Sequence, residues 1–378
     1  MSEGKRRRRG PRRRRAPAEA GRAEQDPARL PLANGAHGPG ETVAAQQRTR
    51  PPERLAALDL GTNNCRLLVA APRGRKFRIV DAFSRIVRLG EGMSRTGALA
   101  PVAMDRAMEA LKICADKIQR RGVTHMRCIA TQACRGASNG VEFLERVKSE
   151  TGLAFEIITT EEEARLAVKG CAELIDSRAP ASLIFDIGGG STEISWIKPR
   201  EDAAPDVVAW RSMPLGVVNL SERWGGREID SPTYESIVDS VRGEIRAFGD
   251  PGELREVFAL DGAHFVGTSG TVTSIAGVHL NLPRYRRDLV DGLWLTREEA
   301  RAVTDRLIAM DFAARASEPC IGLERADLVV CGCAILEALL REWPVSRIRV
   351  GDRGLREGML ADLLDGARRS RSRRRRRR

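Results

Sequence analysis

Three short stretches combine hydroxyl, amide and glycine residues in a way that suits an anion. Asp59-Leu60-Gly61-Thr62-Asn63-Asn64, Asp186-Ile187-Gly188-Gly189-Gly190-Ser191-Thr192-Glu193 and Gly267-Thr268-Ser269-Gly270-Thr271 each follow an apolar run. A strand leading into such a turn presents main-chain N–H groups to an anion, and at Gly188, Gly189 and Gly190 no Cβ obstructs a close approach. The third turn feeds a helical run through Ile275 and Val278, whose N-terminus offers free N–H groups and the positive end of the helix dipole. Asp186, just before the second turn, supplies a hard carboxylate, the kind of ligand that Mg²⁺ takes in ones and twos while substrate oxygens supply the rest. Together these features indicate phosphate binding with a divalent metal. Any one of the turns alone reads equally well as a loop joining core strands.

Turns of this kind need a scaffold, and the sequence contains it twice. When Leu55–Ala70 is laid over Ser182–Ile197, Asp59-Leu60-Gly61 falls on Asp186-Ile187-Gly188, 127 residues later, and Arg66 falls on Glu193. The repeat predicts two like lobes facing a cleft, with opposite charges at equivalent points. Leu55–Leu58, Leu67–Ala70 and Phe77–Val80 read as an antiparallel meander. Met104, Met108, Leu111, Ala115 and Ile118 mark one face of a helix between Pro101 and Gly122. Strand-like and helical runs then alternate: Met126–Thr131, a helix through Phe143–Lys148, Phe155–Thr159, and a helix over Glu162–Ala172. The fold class is α/β. The expected organisation is a disordered basic lead-in (1–52), a first lobe (53–180), a second lobe (181–354), a helix over 355–365 that returns to the first lobe, and a disordered arginine-rich tail (366–378).

Charge is concentrated at the ends. Residues 1–15 hold nine basic side chains against Glu3, and residues 368–378 hold nine arginines, so the ends together carry +17 of the net +13 and residues 16–367 are left with −4. Such segments self-repel and do not build a core, but they attract polyanions, nucleic acid included. With 4% aromatic residues no base-stacking platform is evident. The eight cysteines form no C-x-x-C pair, and Cys331 and Cys333 sit in an apolar helical stretch. Zinc spacing is therefore absent, and the thiols read as buried and reduced. Four histidines leave few candidates for a histidine-built site. The apolar stretch Leu328–Leu340 is broken by Glu337 and is shorter than the roughly 20 residues of a membrane span. No apolar segment follows the basic N-terminus, so a cytoplasmic location without membrane contact is expected.

The three turns, together with Ala130-Thr131-Gln132-Ala133-Cys134-Arg135, Glu162-Glu163-Ala164-Arg165 and Asp352-Arg353-Gly354-Leu355-Arg356-Glu357-Gly358, resemble the exopolyphosphatase/guanosine pentaphosphate phosphohydrolase family from about Leu55 to Leu364. The Glu-Glu-Ala-Arg segment followed some twenty residues later by Asp-Ile-Gly-Gly-Gly-Ser-Thr-Glu is its most specific part. The resemblance implies two actin-like (ribonuclease H-like) lobes and Mg²⁺-dependent hydrolysis of a terminal phosphoanhydride in polyphosphate or guanosine pentaphosphate. It implies Glu163 as the base that activates water, and Asp186 and Glu193 on the metal. Arg135 and Arg66 would neutralise phosphoryl oxygens, and Asp59, Gly61, Thr62, Asn63, Gly188, Gly189, Gly190, Ser191, Ser269, Gly270 and Thr271 would cradle phosphate. Without that pattern, Glu161–Glu163 read as the acidic first turn of a solvated helix and Arg135 as a surface ion pair. Asn64 stands where the family more often has a hydroxyl residue, and Asp291 where many relatives have histidine. A kinase on the same fold and a catalytically inert polyanion-binding protein are the rival functions, and association as a homodimer stays open.

Overall fold

The computed structural model describes residues 53–376 apart from Asp202 and residues 251–253. The lead-in of residues 1–52 and the last two arginines lie outside the described residues. Two sheets organise the chain. The first contains β1 (Leu55–Leu60), β2 (Asn64–Arg73), β3 (Lys76–Ile86), β4 (His125–Ala130) and β5 (Glu156–Ile157) in the order β3-β2-β1-β4-β5. The β1–β2–β3 meander is antiparallel, and β4 and β5 join it in parallel. The second sheet contains β6 (Ser182–Ile187), β7 (Thr192–Lys198), β8 (Asp206–Met213), β9 (His264–Thr268), β10 (Trp294–Thr296) and β11 (Arg347–Gly351) in the order β10-β11-β9-β6-β7-β8. Reading β8-β7-β6-β9-β11 recovers the first sheet's order and strand directions, with β10 added as an antiparallel edge. The repeat seen in sequence is thus a duplication of the whole sheet, and the two-lobed actin-like plan follows from it.

All six residues of β1 are buried because both faces of its sheet are covered. Ala56, Leu58 and Leu60 pack with Met108 and Leu111 of the helix Pro101–Arg120. Leu55 and Ala57, on the other face, pack with Met359, Leu360 and Leu364. Those three belong to the helix Leu355–Arg376, which leaves the second sheet after β11 and crosses to the first. The helix Thr160–Cys171 lies between the sheets. Its Leu166 joins the cluster on β1, while Val168 and Cys171 pack on Ile184 and Ile197 of the second sheet.

These two helices cross at backbone distance. A Cβ on Gly170 would lie 1.9 Å from the Gly354 carbonyl oxygen, and one on Gly358 would lie 2.1 Å from that of Leu166. Beyond the crossing, Lys169 bridges Asp362 and Asp365, each at 2.7 Å, and Arg165 meets Asp362 at 2.6 Å. The expectation of an unstructured tail from residue 366 is corrected for the backbone, which stays helical through Arg376. Arginine is a good helix former, and no proline follows Gly366 to stop the run.

Two glycines on this one helix should respond in opposite directions. Gly358→Ala forces methyl against backbone and should cost ~1–3 kcal/mol of unfolding free energy. Gly366→Ala has nothing within 4 Å of the added carbon and should stabilise by roughly 0.5–1 kcal/mol. Urea denaturation of the two variants checks both signs.

Candidate active site

The first two turns close identically. The Gly61 N–H donates to the Asn64 carbonyl and the Gly188 N–H to that of Ser191, both at 2.9 Å. They also touch: a Cβ on Gly189 would lie 3.0 Å from Asn63 N and from the β-carbons of Thr62 and Asn63, so any side chain there would press the turns of the two sheets apart. The third turn is tied to the second through Ser269, which holds the left-handed conformation at φ 81° and donates its hydroxyl to the Ile187 carbonyl at 2.7 Å. Gly61, Thr62, Asn63, Gly188, Gly189, Gly190, Ser191, Ser269 and Gly270 all line one cleft of about 690 Å³, as do Asp59, Arg66, Glu163, Asp186 and Glu193. Thr271 does not line it. Its side chain is buried against Gly332 of the helix Val329–Glu342.

Strand register explains where the charges meet. Asp59 on β1 is opposite Arg66 on β2, and Asp186 on β6 is opposite Glu193 on β7. The duplicated position therefore carries a cation in one sheet and an anion in the other. Burial pushes the Asp59 carboxyl up to about 6 against the pull of Arg66 and Arg356. Asp186 is also raised by burial, again opposed first by Arg66. Glu193, buried beside Asp186, is pushed up to about 7, although its Oε1 accepts hydroxyl hydrogen bonds from Ser191 at 2.7 Å and Ser212 at 2.8 Å. Glu163 sits in the first turn of the helix Thr160–Cys171 with its carboxyl raised well above the usual range by burial and by the nearby Glu193.

Arg135 is placed differently from the sequence expectation. Its Nη1 donates to the Ile158 carbonyl at 2.8 Å and to Glu163 Oε2 at 3.2 Å, and it does not line the cleft. The short helix Gln132–Gly136 delivers it to Glu163 from behind, so it contacts the carboxylate and not the phosphate space. The cations inside the cleft at the carboxylates are Arg66 and Arg356, and neither forms an ion pair among the described residues. Sequence reasoning gave Arg356 no role. The available signal was its place in the segment Asp352–Gly358, but only the return of the last helix to β1 shows that it overlies Asp59. Gln132 was likewise passed over: its Oε1 accepts from the Thr62 hydroxyl at 3.0 Å. Asp291 lies outside the cleft and anchors Arg353 at 2.5 Å.

Among the described residues no three histidine, cysteine or acidic groups converge into a closed metal cage. Asp59 Oδ1 is buried without a partner. A carboxylate cluster with an orphaned oxygen and open cleft space fits Mg²⁺, which keeps most of its ligands as water and substrate oxygen.

Glycine-rich turns from two duplicated sheets face a cluster of carboxylates across one cleft, and the family match places this arrangement among the phosphoanhydride hydrolases of the two-lobed actin-like fold. The chain belongs to the Ppx/GppA phosphatase family, whose pattern matches residues 68–367. It is 31% identical over 324 residues to Exopolyphosphatase 2 of Mycobacterium tuberculosis, a match that spans 82% of this chain and 98% of that protein. The crystal structure of the Aquifex aeolicus family member superposes with a TM-score of 0.68 at 28% identity, covering 84% of this chain and 99% of that one. An exopolyphosphatase from Cytophaga hutchinsonii gives 0.73 at 23% identity, covering 83% and 98%, and supports the fold.

The carboxylate cluster gives stability a defined pH dependence. Glu193 titrates near 4.5 when unfolded and near 7 when folded, so between those values the folded state holds the extra proton and stability falls as pH rises. Asp59, at 3.8 and about 6, acts with the same sign. Without divalent cation, the urea midpoint should be lower at pH 7.5 than at pH 5.5. Glu193→Gln should flatten that difference, and an unchanged slope in the variant would remove Glu193 as its source.

Proposed function

We propose that the chain is an exopolyphosphatase that releases orthophosphate from the ends of inorganic polyphosphate with Mg²⁺, and that guanosine pentaphosphate is a second substrate of the same cleft. The observation that carries this reading is Glu163, a buried carboxylate oriented by Arg135 at the edge of a cleft built from three anion-binding turns. Its raised proton affinity suits a base working near neutral pH. Glu163 orients a water and takes its proton as the oxygen attacks the terminal phosphorus in line with the bridging oxygen that leaves. The main chain at Gly61–Asn63, Gly188–Ser191 and Ser269–Gly270 holds phosphate oxygens, and Arg66 and Arg356 neutralise charge there. Asp186 and Glu193 would hold Mg²⁺, with Asp59 adjoining, and the bound ion supplies charge neutralisation on the phosphoryl group. Phe83 and Tyr285 are the aromatic residues of the cleft lining, and the Tyr285 hydroxyl is tied to Asp352 at 2.8 Å. That sparse aromatic surface favours a linear phosphate chain over a nucleotide base. Eight buried free thiols support a reducing, cytoplasmic setting, and no described helix is long and apolar enough to cross a membrane.

Orthophosphate release from polyphosphate with Mg²⁺ and no added acceptor separates this reading from a kinase and from an inert binder. Glu163→Gln should lower turnover ~10²-fold or more with the fold intact, because an amide keeps the shape but takes no proton. Circular dichroism and phosphate release measured side by side check it. We also propose that the arginine-rich ends collect polyanionic substrate around an acidic body. Deleting residues 1–15 and 368–378 should then raise KM for long polyphosphate about tenfold at low salt and flatten its salt dependence, with kcat unchanged. Unchanged kinetics together with lost co-sedimentation on nucleic acid would assign the ends to nucleic-acid tethering instead.

A further inference from the structure

Behind the carboxylate cluster lies a second cavity, of about 630 Å³, that the catalytic reading leaves unused. Gln132 and Ser191 line both it and the cleft, so they form the wall between the two. That wall is thin. The Gln132 side chain lies against Gly190, where a Cβ would come within 2.1 Å of its Oε1, and the hydrogen bond from Thr62 holds it in place. On the far side the cavity is lined by Arg135, Arg211 and Ser212. Arg135 is the residue that holds Glu163, and Ser191 and Ser212 are the residues that hold Glu193. The cavity therefore adjoins the reacting end of the cleft from behind. Arg211 lies over the Phe248 ring at 5.6 Å and reaches Glu244 only at 4.0 Å, which leaves its guanidinium available to an anion. Two guanidinium groups and an amide in a half-open space suit a small tetrahedral oxyanion.

Hydrolysis from a chain end creates a sorting problem that this cavity answers. The water oxygen bonds to the terminal phosphorus, its proton passes to Glu163, and the P–O bond to the bridging oxygen breaks. The shortened chain keeps that oxygen and with it the open cleft. The new orthophosphate is left on the Glu163 side, between the remaining chain and the Gln132 wall. We infer that the second cavity is the exit for orthophosphate, with Gln132 as its movable wall and Arg211 as the outer cation, so that the product departs without the chain leaving first. The inference rests on the hydrolytic reading above, and that reading stands or falls separately on phosphate release by the unaltered protein.

Two substitutions test it. Gly136 lines the cavity, and a Cβ there would make only ordinary contacts, at 3.6 Å to Met93 and 3.7 Å to Gln132. Gly136→Phe should therefore obstruct the space without straining the backbone. With long polyphosphate, acid-quench measurement of the first turnover should match the unaltered protein, while steady-state release by a phosphate sensor slows roughly tenfold, a change of about 1.4 kcal/mol in the release barrier. A burst of about one orthophosphate per site on quenching, absent from the sensor trace, is the expected signature. Arg211→Ala should weaken product inhibition by inorganic phosphate several-fold and leave KM for polyphosphate unchanged. Equal slowing of first and later turnovers in Gly136→Phe, or no slowing at all in the folded variant, overturns the exit. So does a parallel shift of the phosphate inhibition constant and KM in Arg211→Ala, which would place inorganic phosphate in the cleft itself.

Discussion

Four carboxylates, Asp59, Glu163, Asp186 and Glu193, are gathered in one buried region and repel one another there. Burying like charges is tolerable only if protons, hydroxyls or cations share the load, and the surroundings supply each. Ser191 and Ser212 donate to Glu193, Arg135 donates to Glu163, and Arg66 and Arg356 lie near Asp59 and Asp186 without settling into an ion pair. An arginine that formed a tight bidentate pair with Asp59 would relieve the repulsion and would be lost to substrate. Leaving the guanidinium groups unpaired keeps both the carboxylates and the cations of the cleft short of partners.

Such tension requires rigid support, which comes from backbone contacts in preference to side-chain packing. The turns of the two sheets meet at Gly189, and the helices bearing Glu163 and Arg356 meet at Gly170 and Gly358. The helix contacts are too close for any side chain and the turn contact leaves little room for one, so the relative placement of Glu163, the glycine turns and Arg356 is set by peptide geometry. At the rim, Arg88 grips Asp327 with two bonds of 2.8 Å, and Glu222 accepts from the Gly92 N–H at 2.6 Å. Those polar links join the flanks of the two halves and are the softer part of the assembly.

What the sequence revealed and what it hid divide along a physical line. Asp59, Asp186 and the glycine turns were legible because strand, turn and returning strand are local, and because duplication printed them twice. Glu163 was legible through its family pattern, since an acidic first helical turn has a sufficient bland explanation. Arg135 was assigned to phosphate and Arg356 given no role because the partners of both, Glu163 and Asp59, are set by tertiary docking that local pattern does not encode. The return of the helix Leu355–Arg376 to the first sheet was legible in its apolar face, Met359, Leu360 and Leu364, but not that the same return would carry Arg356 over Asp59. Gln132 escaped notice for the same reason: its meaning lies in Thr62 and Gly190, 70 and 58 positions away. The strand β8 also went unread, because its mixed residues, Asp206 to Met213, gain their pattern only from pairing with β7.

The late return of the last helix also bears on how the protein is made. Residues 53–351 carry all eleven of the described strands, yet Leu55, Ala57, Leu68 and Leu166 stay uncovered until Met359, Leu360 and Leu364 arrive. Arg356 comes with the same segment, so the cation beside Asp59 is delivered only when that helix docks. A nascent or prematurely ended chain thus has its glycine turns but an incomplete charge cluster and an open greasy face, a form that chaperones and proteases recognise. The docking of that one helix both closes the apolar face and completes the charge cluster.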